Sequence, residues 1–205
     1  MLWHILKIYA TAQIYTSIIA AGYRMKQIGS AFADSDNVRV VDTGVRANTA
    51  GRLLRLAEVL PDTFCLTYAD GLSDVLIEEV ISLHLRTRPT VTLTAVHPPS
   101  RFGELALSGD VVTAFEEKSV LRSAWINGGF MVVDRNILDW IPTENTSLEE
   151  DVLPRLAAAG QLMAYRHEGF WHCMDTLSDV KYLNRLWHEG KAPWHMWRGD
   201  SSPLL

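Results

Sequence analysis

Two stretches far apart in the chain each end a β-like run on an aspartate: Thr63-Phe64-Cys65-Leu66-Thr67-Tyr68-Ala69-Asp70-Gly71 and Gly169-Phe170-Trp171-His172-Cys173-Met174-Asp175-Thr176. Two carboxylates at strand ends, facing one cleft, form the hard oxygen donor set through which Mg²⁺ bridges the phosphates of a nucleotide during transfer. The pattern has a plain alternative, because an Asp-Gly pair after a strand also makes an ordinary turn. Thr49-Ala50-Gly51-Arg52 lies where a loop enters a helix, a place where backbone N–H groups and the helix dipole favour a phosphate or a nucleobase carbonyl. Against this, Thr49 also reads as an N-cap, Gly51 as a close-packing glycine and Arg52 as a solvated residue beside Arg55. Glu117-Lys118 closes an expected hairpin, and Trp125-Ile126-Asn127-Gly128-Gly129-Phe130 runs from a polar position into an apolar strand. Glu117 and Asn127 suit sugar hydroxyls, Gly128 and Gly129 allow close backbone approach, and Lys118 neutralises a phosphate. A β-bulge at the two glycines with a surface Glu-Lys pair is the structural alternative.

Other clusters carry less. The seven histidines are scattered, and only His167-Glu168-Gly169-Phe170-Trp171-His172-Cys173 is dense. Strand alternation would separate His167 from Cys173, so these are expected to frame the fold rather than bind zinc. Cys65 and Cys173 lack metal-ligand spacing and read as buried thiols of a reducing compartment. Lys191-Ala192-Pro193-Trp194-His195-Met196-Trp197 must bury its indoles against the core or another subunit, membrane contact being the weaker option.

These groups have to be positioned by a substantial core. With 205 residues, 48% of them apolar and 21% charged, the chain has the makeup of a single compact domain, with 191–205 as a Trp-rich tail. The net charge of -5 argues against a nucleic-acid binder that relies on a basic surface, leaving a small anionic ligand. The first residues form no signal peptide and no run reaches membrane-spanning length, so a cytoplasmic setting without membrane contact is expected.

Apolar positions 2, 3, 5, 6 and 9 predict an opening helix, and a continuous apolar run predicts a strand from Ile14 to Ala21. Helices are then expected over Met25 to Ala33, Thr49 to Leu60 and Val75 to Arg86, alternating with strands Val38 to Asp42, Thr63 to Asp70 and Thr90 to Val96. Such alternation implies parallel strands with crossover helices and a site at the strands' carboxyl ends. Ser108-Gly109-Asp110 marks an inserted hairpin before a strand from Ile126 to Val133, which makes the sheet mixed. Ser147-Leu148-Glu149-Glu150 has capping-box spacing, Pro154 kinks or restarts that helix, and Gly160 ends it. A strand Gln161 to Arg166 follows, and Thr176 with Asp179 caps a helix that runs to about His188.

Taken in order, these stretches resemble the sugar-nucleotide nucleotidyltransferases, most of all the glucose-1-phosphate cytidylyltransferase branch. The resemblance rests on Val41-Asp42-Thr43-Gly44, Thr49-Ala50-Gly51-Arg52-Leu53, Thr67-Tyr68-Ala69-Asp70-Gly71, Arg101-Phe102-Gly103, Phe115-Glu116-Glu117-Lys118, Ile126-Asn127-Gly128-Gly129-Phe130, Gly169-Phe170-Trp171, Met174-Asp175-Thr176 and Gly190-Lys191-Ala192-Pro193-Trp194. It implies a Rossmann-like α/β fold, with a mixed, mostly parallel sheet flanked by helices. It also implies formation of CDP-glucose and pyrophosphate from CTP and glucose 1-phosphate, by a homo-oligomer. Asp70 and Asp175 would hold Mg²⁺, with Lys118 catalytic beside them. Thr49, Gly51, Arg52 and Ala69 would hold CTP, and Glu117, Lys118, Asn127, Gly128 and Gly129 the sugar phosphate. The family pattern places a strand and a glycine-rich phosphate loop ahead of the opening helix, so by that pattern the chain reads as N-terminally truncated. The segment between Gly22-Tyr23 and Val38 is short for the family, and Ala50 and Ala69 stand where glycine is usual. That first strand would be central, so an exposed sheet edge is expected. A non-catalytic sugar-phosphate-binding or oligomer-assembly subunit is the alternative function. A metal-dependent glycosyltransferase fits a strand-end Asp but not the Glu117-Lys118 and Asn127-Gly128-Gly129 series.

Overall fold

The structure, a computed structural model, describes residues 1–99, 104–116, 124–197 and 199. Helix α1 (Leu2–Thr11) opens the chain, followed by β1 (Ser17–Ala21), α2 (Met25–Ala31), β2 (Val38–Asp42), α3 (Thr49–Arg55), β3 (Thr63–Leu66), β4 (Gly71–Ser73), α4 (Ile77–Thr87) and β5 (Val91–Val96). The hairpin β6 (Glu104–Ser108) and β7 (Val111–Glu116) comes next, then β8 (Ile126–Asn127) and β9 (Met131–Asp134). A 3₁₀ turn (Arg135–Trp140) and a π-helical turn (Leu148–Val152) lead into α5 (Leu153–Ala158), β10 (Leu162–His167), β11 (Trp171–Cys173) and α6 (Leu177–His188).

The main sheet runs β10-β5-β9-β3, with β8 also on β5. It is mixed, as expected: β10 and β5 are parallel, whereas β9 is antiparallel to both β5 and β3. Parallel β1 and β2 form a separate pair, β4 and β11 an antiparallel pair, and β6 and β7 the expected hairpin. The main sheet carries a cluster on each face. In β9, Met131 and Val133 join Leu53, Leu56, Leu60, Val152 and Leu156, while Val132 points the other way into Ile5, Ile8, Val80, Leu183 and Trp194. This period-2 division lets one strand serve both layers, each buried leucine or isoleucine contributing about 1.5–3 kcal/mol over an exposed one. Buried His84 ties α4 across the sheet, with Nδ1 2.9 Å from the Thr92 hydroxyl and Nε2 3.1 Å from Asp134 Oδ1.

Several elements differ from the sequence reading for local reasons. β3 stops at Leu66 because its partner strand begins at Met131. Before that, Phe130 and Gly129 have φ of 44° and 76° and turn away from the ladder. The expected strand Ile126 to Val133 is accordingly split into β8 and β9. Asn48, not Thr49, caps α3, its side chain accepting from the Thr49 N–H at 2.8 Å. The Ser147 hydroxyl accepts from the Glu150 N–H at 3.1 Å, but Asp151 rather than Glu150 accepts from the Ser147 N–H, at 2.7 Å. A π turn adds one residue per loop, which moves the return bond one place along. Thr176 and Asp179 form the full capping box, and Trp194 is buried with its indole N–H donating to His4 Nδ1 at 3.2 Å. Packing of the tail against α1, with burial as the main cause and the N-terminus and His195 adding to it, pushes the His4 imidazole down to about 4.

Candidate active site

Short pairing between β4 and β11 builds the acidic end of the site. Their register sets Gly71 opposite Cys173, and the Met174 N–H donates to the Asp70 carbonyl at 2.9 Å, one step beyond the ladder. Asp70 and Asp175 therefore leave adjacent backbones side by side, both side chains exposed. Cys173 stands opposite Gly71, its thiol 3.3 Å from Asp175 Oδ2. Burial, and then Asp175, Asp179 and Asp70, push that thiol up to about 11. Among the described residues no group of three or more His, Cys, Asp or Glu is placed to hold a metal. Two exposed carboxylates nonetheless fit Mg²⁺, which is commonly held by one or two carboxylates while waters and substrate phosphates complete its shell.

A second polar group lies nearby, centred on Glu149. Its Oε1 accepts from the Tyr68 hydroxyl at 2.6 Å, and its Oε2 accepts from Thr49 Oγ1 at 2.7 Å and Ser147 Oγ at 3.2 Å. The Thr49 hydroxyl oxygen in turn accepts from the Leu148 N–H at 2.7 Å. Asn127 completes the chain: its amide donates to the Tyr68 hydroxyl at 3.2 Å and accepts from the Gly129 N–H at 3.0 Å. One carboxylate thus connects the start of α3, the exit of β3 and the turn after β8. Burial, then hydrogen bonding to Glu149 and its charge, drive the Tyr68 phenol well above its ordinary value, so it stays a donor at neutral pH. Burial would raise the Glu149 carboxyl, but bonds from Tyr68, Thr49, its own amide and Ser147 outweigh this and hold it below the ordinary 4.5.

A depressed folded value gives stability that is fully present above the ordinary value and lost as pH falls through the lower one. Glu149→Gln is therefore expected to flatten the acid limb of stability. Thermal unfolding followed from about pH 6 to about pH 3 should show a smaller fall in Tm than the parent. Equal slopes in the two proteins would reject this role.

The remaining expected residues divide clearly. Arg52 Nη1 donates to Thr43 Oγ1 at 2.6 Å and to the Gly44 carbonyl at 3.3 Å, bracing the loop after β2. Gly51 is buried, and a Cβ there would stand 1.9 Å from the Glu144 carbonyl oxygen, so the close-packing reading describes its setting. Ala69 is exposed beside Asp70. The Gly128 N–H donates to the Thr94 carbonyl at 2.8 Å, and a Cβ there would meet Val96 at 2.7 Å. Gly129 lies against the Tyr68 ring. Glu117 and Lys118, with Arg101-Phe102-Gly103, lie outside the described residues. His167 and His172 are taken up by Asp74 at 2.8 Å and Asp179 at 3.0 Å, in keeping with a framing role.

No protein-family model matches the chain. It is 40% identical over 96% of its length to glucose-1-phosphate cytidylyltransferase of Salmonella typhi, covering 87% of that protein. A probable glucose-1-phosphate cytidylyltransferase of Bacillus subtilis is 32% identical over the same shares. The chain belongs to the glucose-1-phosphate cytidylyltransferase family. Solved structures similar to this cytidylyltransferase chain agree in fold. HddC from Yersinia pseudotuberculosis complexed with GMP-PN superposes with a TM-score of 0.68 at 15% identity, over 88% of this chain and 82% of that one. A putative glucose-1-phosphate thymidylyltransferase from Bacillus anthracis gives 0.68 at 16% identity, over 97% and 84%.

Sequence reasoning missed Glu149 and Tyr68 as members of the polar group that links Thr49 and Asn127. Glu149 was visible only as a carboxylate in an expected helix cap, and Tyr68 only as part of a strand. The one available signal was that Tyr68 stands in the same short stretch as Asp70.

Proposed function

We propose that the chain forms CDP-glucose and pyrophosphate from CTP and glucose 1-phosphate in a Mg²⁺-dependent reaction. The observation that carries this reading is the Met174 to Asp70 backbone bond, which brings Asp70 and Asp175 together in a chain of the cytidylyltransferase family. When bound by these two carboxylates, Mg²⁺ supplies charge neutralisation between the nucleotide and sugar phosphates. A phosphate oxygen of glucose 1-phosphate attacks the α-phosphorus of CTP in line, the bond to the β-phosphate breaks, and pyrophosphate leaves. No covalent step falls to the protein, so its work is positioning and electrostatics.

On the CTP side, Thr49 and Ala69 flank the nucleotide, while Gly51 and Arg52 act through the backbone they shape: one seats α3 under Glu144, the other braces the Thr43-Gly44 turn. Asn127, Gly128 and Gly129 serve the sugar phosphate with Glu117 and Lys118, and Lys118 offsets phosphate charge. Tyr68 and Glu149 hold Asn127 and Thr49 in fixed relation, so the two substrates are presented from one connected frame. A cytoplasmic setting and a homo-oligomeric assembly belong to the same reading. Among the described residues no helix is long and apolar enough to cross a membrane.

The test is pyrophosphate release with glucose 1-phosphate and Mg²⁺, comparing CTP with UTP, GTP and dTTP. Release with CTP well above the others is expected. Equal rates with another nucleotide would reject the cytidylyl assignment, and no release with any of them would reject the activity.

A further inference from the structure

The directions of the hydrogen bonds around Glu149 decide what this group can still offer a ligand. The carboxyl is held below its ordinary 4.5 and is ionised at neutral pH, so every hydroxyl that touches it must be the donor. Tyr68 gives its hydrogen to Oε1, and Thr49 and Ser147 give theirs to Oε2. The Thr49 oxygen also receives the Leu148 N–H, at 2.7 Å, and the Tyr68 oxygen receives the Asn127 amide, at 3.2 Å. A hydroxyl oxygen has two lone pairs, so Thr49 keeps one lone pair and no hydrogen. Donation to a charged carboxylate polarises the hydroxyl and makes that lone pair a stronger acceptor. Thr49 and Glu149 are both exposed, so the lone pair is open to a ligand.

The Asp70 charge acts on the same Tyr68 hydroxyl, so two carboxylates lie at this end of the site. Among the described residues, the Thr49 end of the group therefore presents acceptor oxygens under negative charge. Such a surface disfavours a phosphate oxygen or a ring carbonyl and takes an N–H donor. Cytosine carries an amino donor at the ring position where uracil carries the O4 acceptor. A ribose hydroxyl gives and accepts, so it suits a site that holds donors as well. The 4-amino group, its lone pair delocalised into the ring, only gives.

We propose that Thr49 and Glu149 set the preference for cytosine over uracil: the 4-amino group donates to Thr49 Oγ1, which Glu149 keeps as an acceptor by occupying its hydrogen. Thr49 touches the base, and Glu149 is a positioning residue that acts through it. The inference deepens the proposed reaction and rests on its placement of the nucleotide beside Thr49.

The experiment is calorimetric titration of the full chain near neutral pH with the Mg²⁺ complexes of CTP, UTP and dCTP. The parent is expected to bind CTP about tenfold or more tighter than UTP, the effect of one good hydrogen bond exchanged for two opposed oxygens, and dCTP as tightly as CTP. Glu149→Gln puts an NH₂ where one oxygen stood, facing Thr49 or Tyr68, and so frees a hydroxyl hydrogen that uracil O4 can accept. Its preference for CTP should fall to about threefold or less, with UTP bound more tightly than by the parent. A merely loosened site would weaken both nucleotides together and leave the ratio standing. Thr49→Val should lose the preference and Thr49→Ser keep it, a comparison independent of how well Glu149→Gln folds. An unchanged ratio in Thr49→Val or in folded Glu149→Gln overturns the proposal, as does a parent that binds neither CTP nor UTP. A dCTP penalty that vanishes in Thr49→Val would put a ribose hydroxyl on Thr49 and overturn it as well. Binding with the expected ratios but without pyrophosphate release would overturn the reaction and support this assignment.

Discussion

Asp70→Asn is expected to lower the rate of pyrophosphate release by about 10²–10³-fold, comparable to the loss of one preorganised charge-stabilising group. Asparagine keeps the size and one carbonyl oxygen but removes the negative charge. The Mg²⁺ concentration for half-maximal rate should rise with the fall in turnover. Folding should be nearly untouched, because Asp70 enters the β4–β11 pairing through its backbone carbonyl, which accepts from Met174, and its side chain is exposed. Steady-state kinetics with a Mg²⁺ titration, beside a thermal melt, separates the two effects. A variant that melts like the parent and turns over at the parental rate would remove the carboxylate pair from the chemistry.

Gly51→Ala is expected to act on the fold instead. The added Cβ would stand 1.9 Å from the Glu144 carbonyl oxygen and 2.5 Å from its carbon, both backbone atoms that no side-chain rotation can move aside. Either α3 or the 144–146 turn must shift, and that turn is held by the Asn48 N–H to the Glu144 carbonyl at 2.9 Å and the Gly51 N–H to the Thr146 carbonyl at 3.3 Å. Overpacking of this kind costs about 2–3 kcal/mol, a fall in Tm of roughly 4–12 °C for a chain of this size. Calorimetry on the purified variant checks it. An unchanged Tm would mean that α3 can move without loss.

Much of the fold was legible because its signals are local. Thr176 and Asp179 are three residues apart and form their capping box whatever the rest of the chain does. Ser108-Gly109-Asp110 likewise turns its hairpin alone, with Gly109 at φ 61°. The limits of β3 were not legible, because they are set by where Phe130 and Gly129 bend the partner strand away. Glu149 was hidden for the same reason: its partners Tyr68 and Thr49 lie 81 and 100 positions away, and only packing of the π turn on α3 brings them together. Asp70 and Asp175 were paired in the sequence as two strand-end carboxylates; the β4–β11 register brings their backbones together, but Asp70 stands just before β4 and not at the end of β3, which stops at Leu66. For Arg52 residue type suggested a ligand contact, and what the sequence did not show is that Thr43 and Gly44, nine and eight positions back, accept from its Nη1.

The Cys173 thiol beside Asp175 has a chemical consequence of its own. Burial first, and then the neighbouring carboxylates, push its pKa up to about 11 and so favour the thiol, whereas the thiolate is the form that peroxides and alkylating agents attack. Cys65, pushed up to about 11 by burial, is quiet on the same terms. Both cysteines of the chain are thus held toward the less reactive thiol form, Cys173 by its carboxylate neighbours as well as by burial.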